Sequence, residues 1–140
     1  MPSRVIVCLG SNIEPRLDYL NRAQEALCAL PDTRMVAAGG TDETDPVDVP
    51  IEFSAQKFMN RILVFETKLS PGDFSRRMHR IEDEFGRVRG GVRNAPRTID
   101  IDMIDYEGVV MDSLDLTLPH PRARERAFVM EPLKRLGIEF

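Results

Sequence analysis

The chain has no tryptophan, and only two cysteines and two histidines. Cys8 and Cys28 lie in apolar stretches without C-x-x-C spacing, so they read as buried free thiols of a reducing compartment rather than a disulfide or zinc site. No apolar run approaches the roughly 20 residues that span a bilayer. The opening Met1-Pro2-Ser3-Arg4, followed by a short apolar stretch, lacks a secretory signal pattern. Together these absences argue for a cytoplasmic protein with no membrane partner. An excess of basic charge is missing too. The net charge of −4 argues against nucleic acid held on a basic face. There is no G-x-x-x-x-G-K-[ST] loop and no kinase-type G-x-G-x-x-G with its strand lysine. A nucleotide bound here would be bound by a different fold.

What is present describes one ordinary domain over residues 1–140, without internal repeats. Val5-Ile6-Val7-Cys8-Leu9 is short, continuous and β-branched, as a strand buried on both faces should be. Leu17, Leu20, Ala23, Leu27 and Leu30 recur at helical spacing up to Pro31. Arg34 to Ala38 reads as a weaker strand closed by Gly39-Gly40, and Thr41 to Gln56 as a long acidic loop. Phe58 to Thr67 returns to strand character. Ser70-Pro71-Gly72-Asp73 is a helix start, with Ser70 as N-cap and Phe74, Met78, Ile81 and Phe85 on one face. A strand over Arg97 to Met103, a hairpin-like piece near Gly108, extended chain over Leu116–Pro121 and a helical stretch from about Arg122 to Leu136 complete the order. Strand, helix, strand, strand, helix, strand suggests an α+β ferredoxin-like sandwich, an antiparallel sheet with helices packed on one face.

Two clusters carry chemistry. In Ile99-Asp100-Ile101-Asp102-Met103 the strand period of two puts both aspartates on one face. Carboxylates about 6–7 Å apart along a strand repel unless something positive lies between them. Directly before them, residues 86–97 hold Arg87, Arg89, Arg93 and Arg97, three glycines and no acid. Arginine forks match phosphate oxygens, and a carboxylate pair suits Mg²⁺ that takes its other ligands from phosphates. Side by side they are the two halves of a phosphoryl-transfer site. His120 sits between Pro119 and Pro121, with Arg122, Arg124 and Arg126 behind it.

These pieces in this order resemble the 6-hydroxymethyl-7,8-dihydropterin pyrophosphokinases of folate synthesis. The resemblance runs from Leu9-Gly10-Ser11-Asn12 through Glu43-Thr44-Asp45-Pro46, Phe58-Met59-Asn60, Arg80-Ile81-Glu82 and Gly86-Arg87-Val88-Arg89. It is strongest at Ala95-Pro96-Arg97-Thr98-Ile99-Asp100-Ile101-Asp102 and at Leu116-Thr117-Leu118-Pro119-His120-Pro121-Arg122. It implies transfer of pyrophosphate from ATP to the pterin hydroxymethyl group, with release of AMP. It further implies two Mg²⁺ ions on Asp100 and Asp102, and Arg87 and Arg97 on the phosphates during transfer. His79, Glu82, Arg89, Thr117, His120 and Arg126 would serve ATP. Thr44, Val47, Phe58, Asn60, Asn94 and Phe128 would serve the pterin, stacked between Phe58 and Phe128. Asp42, Asp48 and Asn94 stand where the family commonly has tyrosine, glycine and tryptophan. The acidic stretch from Asp42 to Glu52 leaves open an enzyme with another acceptor, and the fold leaves open a non-catalytic binding module.

Overall fold

The computed structural model describes residues 1–44, 57–85 and 98–140. The expectations for Val47, Asp48, Arg87, Arg89, Asn94 and Arg97 lie outside those residues. The elements are β1 (Ser3–Ser11), α1 (Arg16–Cys28), β2 (Thr33–Thr44), β3 (Phe58–Thr67), α2 (Pro71–Glu84), β4 (Asp100–Tyr106), the short β5 (Met111–Asp112) and β6 (Thr117–Leu118), and α3 (Ala127–Arg135). A single 3-10 turn, Ala123–Glu125, precedes α3. The main sheet runs β2-β3-β1-β4, and every neighbouring pair is antiparallel. That is the strand order of the ferredoxin-like sandwich expected from the sequence.

β1 lies between β3 and β4, which is why its run is apolar at every position. Val5, Val7 and Leu9 face one core with Leu20, Ala23 and Leu27 of α1 and Phe74, Met78 and Ile81 of α2. Ile6 and Cys8 face a second core with Ile62, Val64, Ile104 and the α3 residues Val129 and Leu133. Helices therefore cover both faces, a correction to the one-face packing. A central strand without a polar alternate position needs both sides covered, and α3 supplies the second. Each fully buried leucine here is worth about 1.5–3 kcal/mol against exposure.

α2 begins as its sequence dictates. Ser70 accepts the Asp73 backbone N–H at 3.1 Å, with Pro71 in the first helical position. Two expectations for α1 change. Leu17 is 49% exposed and Cys28 is an exposed free thiol. At 100° per residue both fall roughly 90° or more from the stripe centred on Leu20, Ala23 and Leu27.

β2 does not stop at Gly39-Gly40 but continues to Thr44, with a break in its β3 register between Ala38 and Thr41. The glycines accommodate a bulge and a close approach. A Cβ on Gly39 would lie 3.1 Å from the Pro132 Cβ of α3. The final helical stretch is likewise divided, because Arg126 is extended between the 3-10 turn and α3. Among the described residues no helix is long and apolar enough to cross a membrane.

Candidate active site

The site is set by strand register. Asp42 of β2, Asn60 of β3, Gly10 of β1 and Asp100 of β4 form one row across the sheet. The adjacent row pairs Ile62, Cys8 and Asp102. Both rows lie on the face that carries Ile62 and Cys8, the side covered by α3. Gly10 lets the Asn60 and Phe58 side chains close over the centre of its row. A Cβ there would stand 3.2 Å from Asn60 Oδ1 and 3.4 Å from Phe58 Cδ1. With strands about 4.8 Å apart, Asn60 and Asp100 face each other across about 10 Å.

On one side of that gap Asn60 is 5% exposed, and its Nδ2 donates to Thr44 Oγ1 at 2.6 Å. Phe58 is half-buried and pairs with Thr44 in the last rung of the β2–β3 ladder. The structure thus brings Thr44, Phe58 and Asn60 together. Asp42 is engaged by Arg135 of α3, whose Nη2 donates to Oδ2 at 3.3 Å.

On the other side Asp100 and Asp102 are half-exposed on β4. Arg126 Nη1 lies 4.0 Å from Asp102 Oδ2, and its guanidinium lies 5.7 Å from the centre of the Phe128 ring. One cation therefore bridges a residue expected for metal and one expected for pterin. Among the described residues no cluster of three or more His, Cys, Asp or Glu could enclose a metal. Two hard oxygen donors on an open edge nevertheless fit Mg²⁺, which keeps waters and takes phosphate oxygens rather than a protein cage.

Beyond β4 lies a cavity of about 270 Å³, lined by Met78 and His79 of α2, Asp102 and Met103 of β4, Leu116, Thr117 and the His120-Pro121 segment. It brings together His79, Asp102, Thr117 and His120, all singled out in the sequence. The His120 backbone N–H donates to the Ile104 carbonyl at 2.8 Å, pinning the segment to the edge strand. His120 Nδ1 accepts the Arg122 backbone N–H at 3.2 Å, so in the neutral ring the proton is assigned to Nε2. Burial, then Arg126, pushes the His120 pKa below the ordinary histidine value, with Asp100 opposing.

Glu82 does not line the cavity. It is fully buried; Oε2 accepts the Ile101 backbone N–H at 2.8 Å, and Oε1 lies 3.0 Å from His79 Nδ1. The Cys8 thiol is buried beneath the aspartates, and burial, then Asp102 and Asp100, raises its pKa far above the usual thiol range.

Sequence reasoning missed two supports. Thr98 Oγ1 donates to the Phe85 carbonyl at 2.7 Å, joining the end of α2 to the start of the aspartate strand. Arg16 contacts residues beside both Thr44 and Phe58. Glu43-Thr44 and Arg97-Thr98 were visible as motif residues, but their partners had no spacing signal.

An aspartate pair on an edge strand, a cavity beside it that gathers His79, Thr117 and His120, and Phe58 and Asn60 across Gly10 on the same α+β sandwich are the arrangement of a phosphoryl-transfer enzyme. Residues 6–137 match the model of the 7,8-dihydro-6-hydroxymethylpterin-pyrophosphokinase (HPPK) family, and the chain belongs to that family. It is 36% identical to the 2-amino-4-hydroxy-6-hydroxymethyldihydropteridine pyrophosphokinase of Pseudomonas aeruginosa over 140 aligned residues, covering 98% of this chain and 82% of that one. It is 36% identical to the enzyme of the same name from Bacillus subtilis, covering 93% of this chain and 75% of that one. Among solved structures, an HPPK-DHPS crystallised with substrates superposes with a TM-score of 0.70 at 11% identity, covering 97% of this chain. This chain spans 40% of that longer one, and the likeness is one of fold.

Proposed function

We propose that this chain, as one catalytic domain, transfers a pyrophosphoryl group from ATP to the hydroxymethyl oxygen of 6-hydroxymethyl-7,8-dihydropterin in folate biosynthesis. The observation that carries the reading is the row joining Asn60 to Asp100 through Gly10. It sets an amide that suits a pterin edge two strands away from a carboxylate that suits a phosphate-bound cation, on the same face of the sheet.

In this reading the pterin stacks on Phe58 and Phe128, and Asn60, oriented by Thr44, reads its polar edge. The triphosphate enters along the cavity, meeting Thr117, the His120 Nε2–H and Arg126. His79 and Glu82 serve it from α2, Glu82 by holding His79 and β4 rather than by touching the nucleotide. The hydroxyl oxygen attacks the β-phosphorus, the bond from that phosphorus to the α–β bridging oxygen breaks, AMP departs and the hydroxyl proton passes to solvent. Asp100 and Asp102 would hold two Mg²⁺ ions, whose chemistry is to neutralise phosphate charge and lower the pKa of the attacking hydroxyl. Arg87, Arg89, Arg97, Asn94 and Val47 complete the proposed site from outside the described residues. The cytoplasmic location belongs to the same proposal, supported by the two free thiols.

Another acceptor was suggested by the acidity around Asp42, but that carboxylate is engaged by Arg135, which removes the motive at that position. The test is AMP release from ATP and Mg²⁺, with and without the hydroxymethyl pterin. Pterin-dependent AMP is the expected result. ATP binding without pterin-dependent AMP would overturn the reading.

A further inference from the structure

Arg16, the first residue of α1, is given no part in binding or transfer in the function proposed above. Its guanidinium is held by three groups: Nε donates to the Glu14 carboxylate, Nη1 donates to the Lys57 carbonyl at 3.0 Å, and Nη2 pairs with Glu43 Oε2 at 2.8 Å. The side chain is only 19% exposed. The Glu43 hydrogen bond, then the Glu14 one, raises its pKa above the usual arginine value.

Glu14 is a sequence neighbour, but Glu43 is in β2 and Lys57 lies just before β3. Glu43 precedes Thr44 at the end of β2, and Lys57 precedes Phe58 at the start of β3. Thr44–Phe58 and Glu43–Met59 are the last two pairs of that ladder. One planar fork therefore ties both strand ends to α1 beside Thr44 and Phe58. The planar arginine fork carries enough donors, in fixed directions, to serve two carboxylates and a carbonyl at once.

Helix stability does not account for this residue. A cation in the first turn opposes the helix macrodipole. Nor is it the sole tie between α1 and the β2–β3 pair. Arg61 of β3 already joins these elements further along, donating to Thr41 Oγ1 at 3.0 Å and to Asn21 Oδ1 and Gln24 Oε1 at 2.9 Å each.

We propose that Arg16 is a positioning residue of the acceptor site. It fixes the ends of β2 and β3 so that Thr44 keeps Asn60 oriented and Phe58 keeps its place over Gly10. The inference rests on the acceptor assignment above and adds a residue to it.

Steady-state AMP release by Arg16→Ala and Arg16→Lys, with pterin and ATP varied separately, tests it. The expected result for Arg16→Ala is a rise of about tenfold in KM for the pterin with KM for ATP within about twofold, and a smaller rise for Arg16→Lys. Glu43→Gln should reproduce part of the pterin effect and add little in combination with Arg16→Ala, as partners in one contact do. An unchanged pterin KM in an active, folded Arg16→Ala protein would overturn the inference alone. So would equal losses toward both substrates accompanied by a lowered Tm. A wild-type protein that releases no pterin-dependent AMP would overturn the function reading, and this inference with it.

Discussion

The buried Glu82 carboxylate accepts the backbone N–H of Ile101 at 2.8 Å, and Ile101 is the residue between Asp100 and Asp102. β4 is an edge strand, paired with β1 on one side only. On its outer side Glu82 takes the Ile101 N–H, and the His120 N–H reaches the Ile104 carbonyl. The carboxylate pair is thus mounted on a strand whose exposed backbone is held by α2 and by the Pro-His-Pro segment.

Removing the Glu82 carboxylate leaves the Ile101 N–H unsatisfied in a buried place. Glu82→Ala should lose about 1–3 kcal/mol of stability, and it should cost turnover as well. Glu82→Gln keeps an acceptor oxygen and should lie much closer to wild type. Thermal or urea unfolding of the two variants checks this; equal losses from both would show that the negative charge matters rather than the acceptor.

Asp100→Asn and Asp102→Asn should each lower turnover by more than about a hundredfold, the scale at which removed electrostatic stabilisation acts. Both side chains are half-exposed, so stability should change by less than about 1 kcal/mol. Circular dichroism melts set beside AMP release separate the two effects. Retained turnover would remove the aspartates from the metal assignment.

The methyl of Gly10→Ala would press on Asn60 Oδ1 at 3.2 Å and Phe58 Cδ1 at 3.4 Å. Their displacement should cost about 1–3 kcal/mol, the range for overpacking a fitted site, and should fall on pterin binding while ATP binding is spared. Calorimetric titration with each ligand in turn reads the difference. A loss confined to ATP would place the pterin elsewhere.

His120 supplies a pH signature. Its folded pKa is depressed by burial and by Arg126, so near the ordinary histidine value the unfolded chain binds more protons than the folded one. Its contribution to stability is therefore fully present above about pH 6.5 and is lost as pH falls through the lower folded value. Protonation would also take Nδ1 from the Arg122 N–H. His120→Asn, which can place an acceptor near Nδ1 but does not titrate, should flatten the fall in Tm below pH 6.5. Proton NMR of the wild type should show the His120 imidazole titrating below that value.

The strands of this fold were legible because their signals are local. The run Val5–Leu9 announces burial on both faces, and the period of two places Asp100 and Asp102 together. What escaped depends on contacts distant in sequence. Gly39-Gly40 resembles a stop until Pro132 is seen to cross it, and Leu17 fits the apolar spacing but lies off the centre of the buried stripe. The bond from the Ile101 backbone N–H to Glu82, 19 residues away, leaves no trace in composition or period. Arg16 escaped for the same reason, since two of its three partners, the Lys57 carbonyl and Glu43, are distant in sequence.

The most direct test of the central claim follows the phosphorus atoms. In a 31P NMR time course with ATP, Mg²⁺ and 6-hydroxymethyl-7,8-dihydropterin, AMP and a pterin diphosphate should appear one for one while ATP disappears. Formation of ADP and a pterin monophosphate, or loss of ATP to free pyrophosphate without a pterin product, would contradict the account.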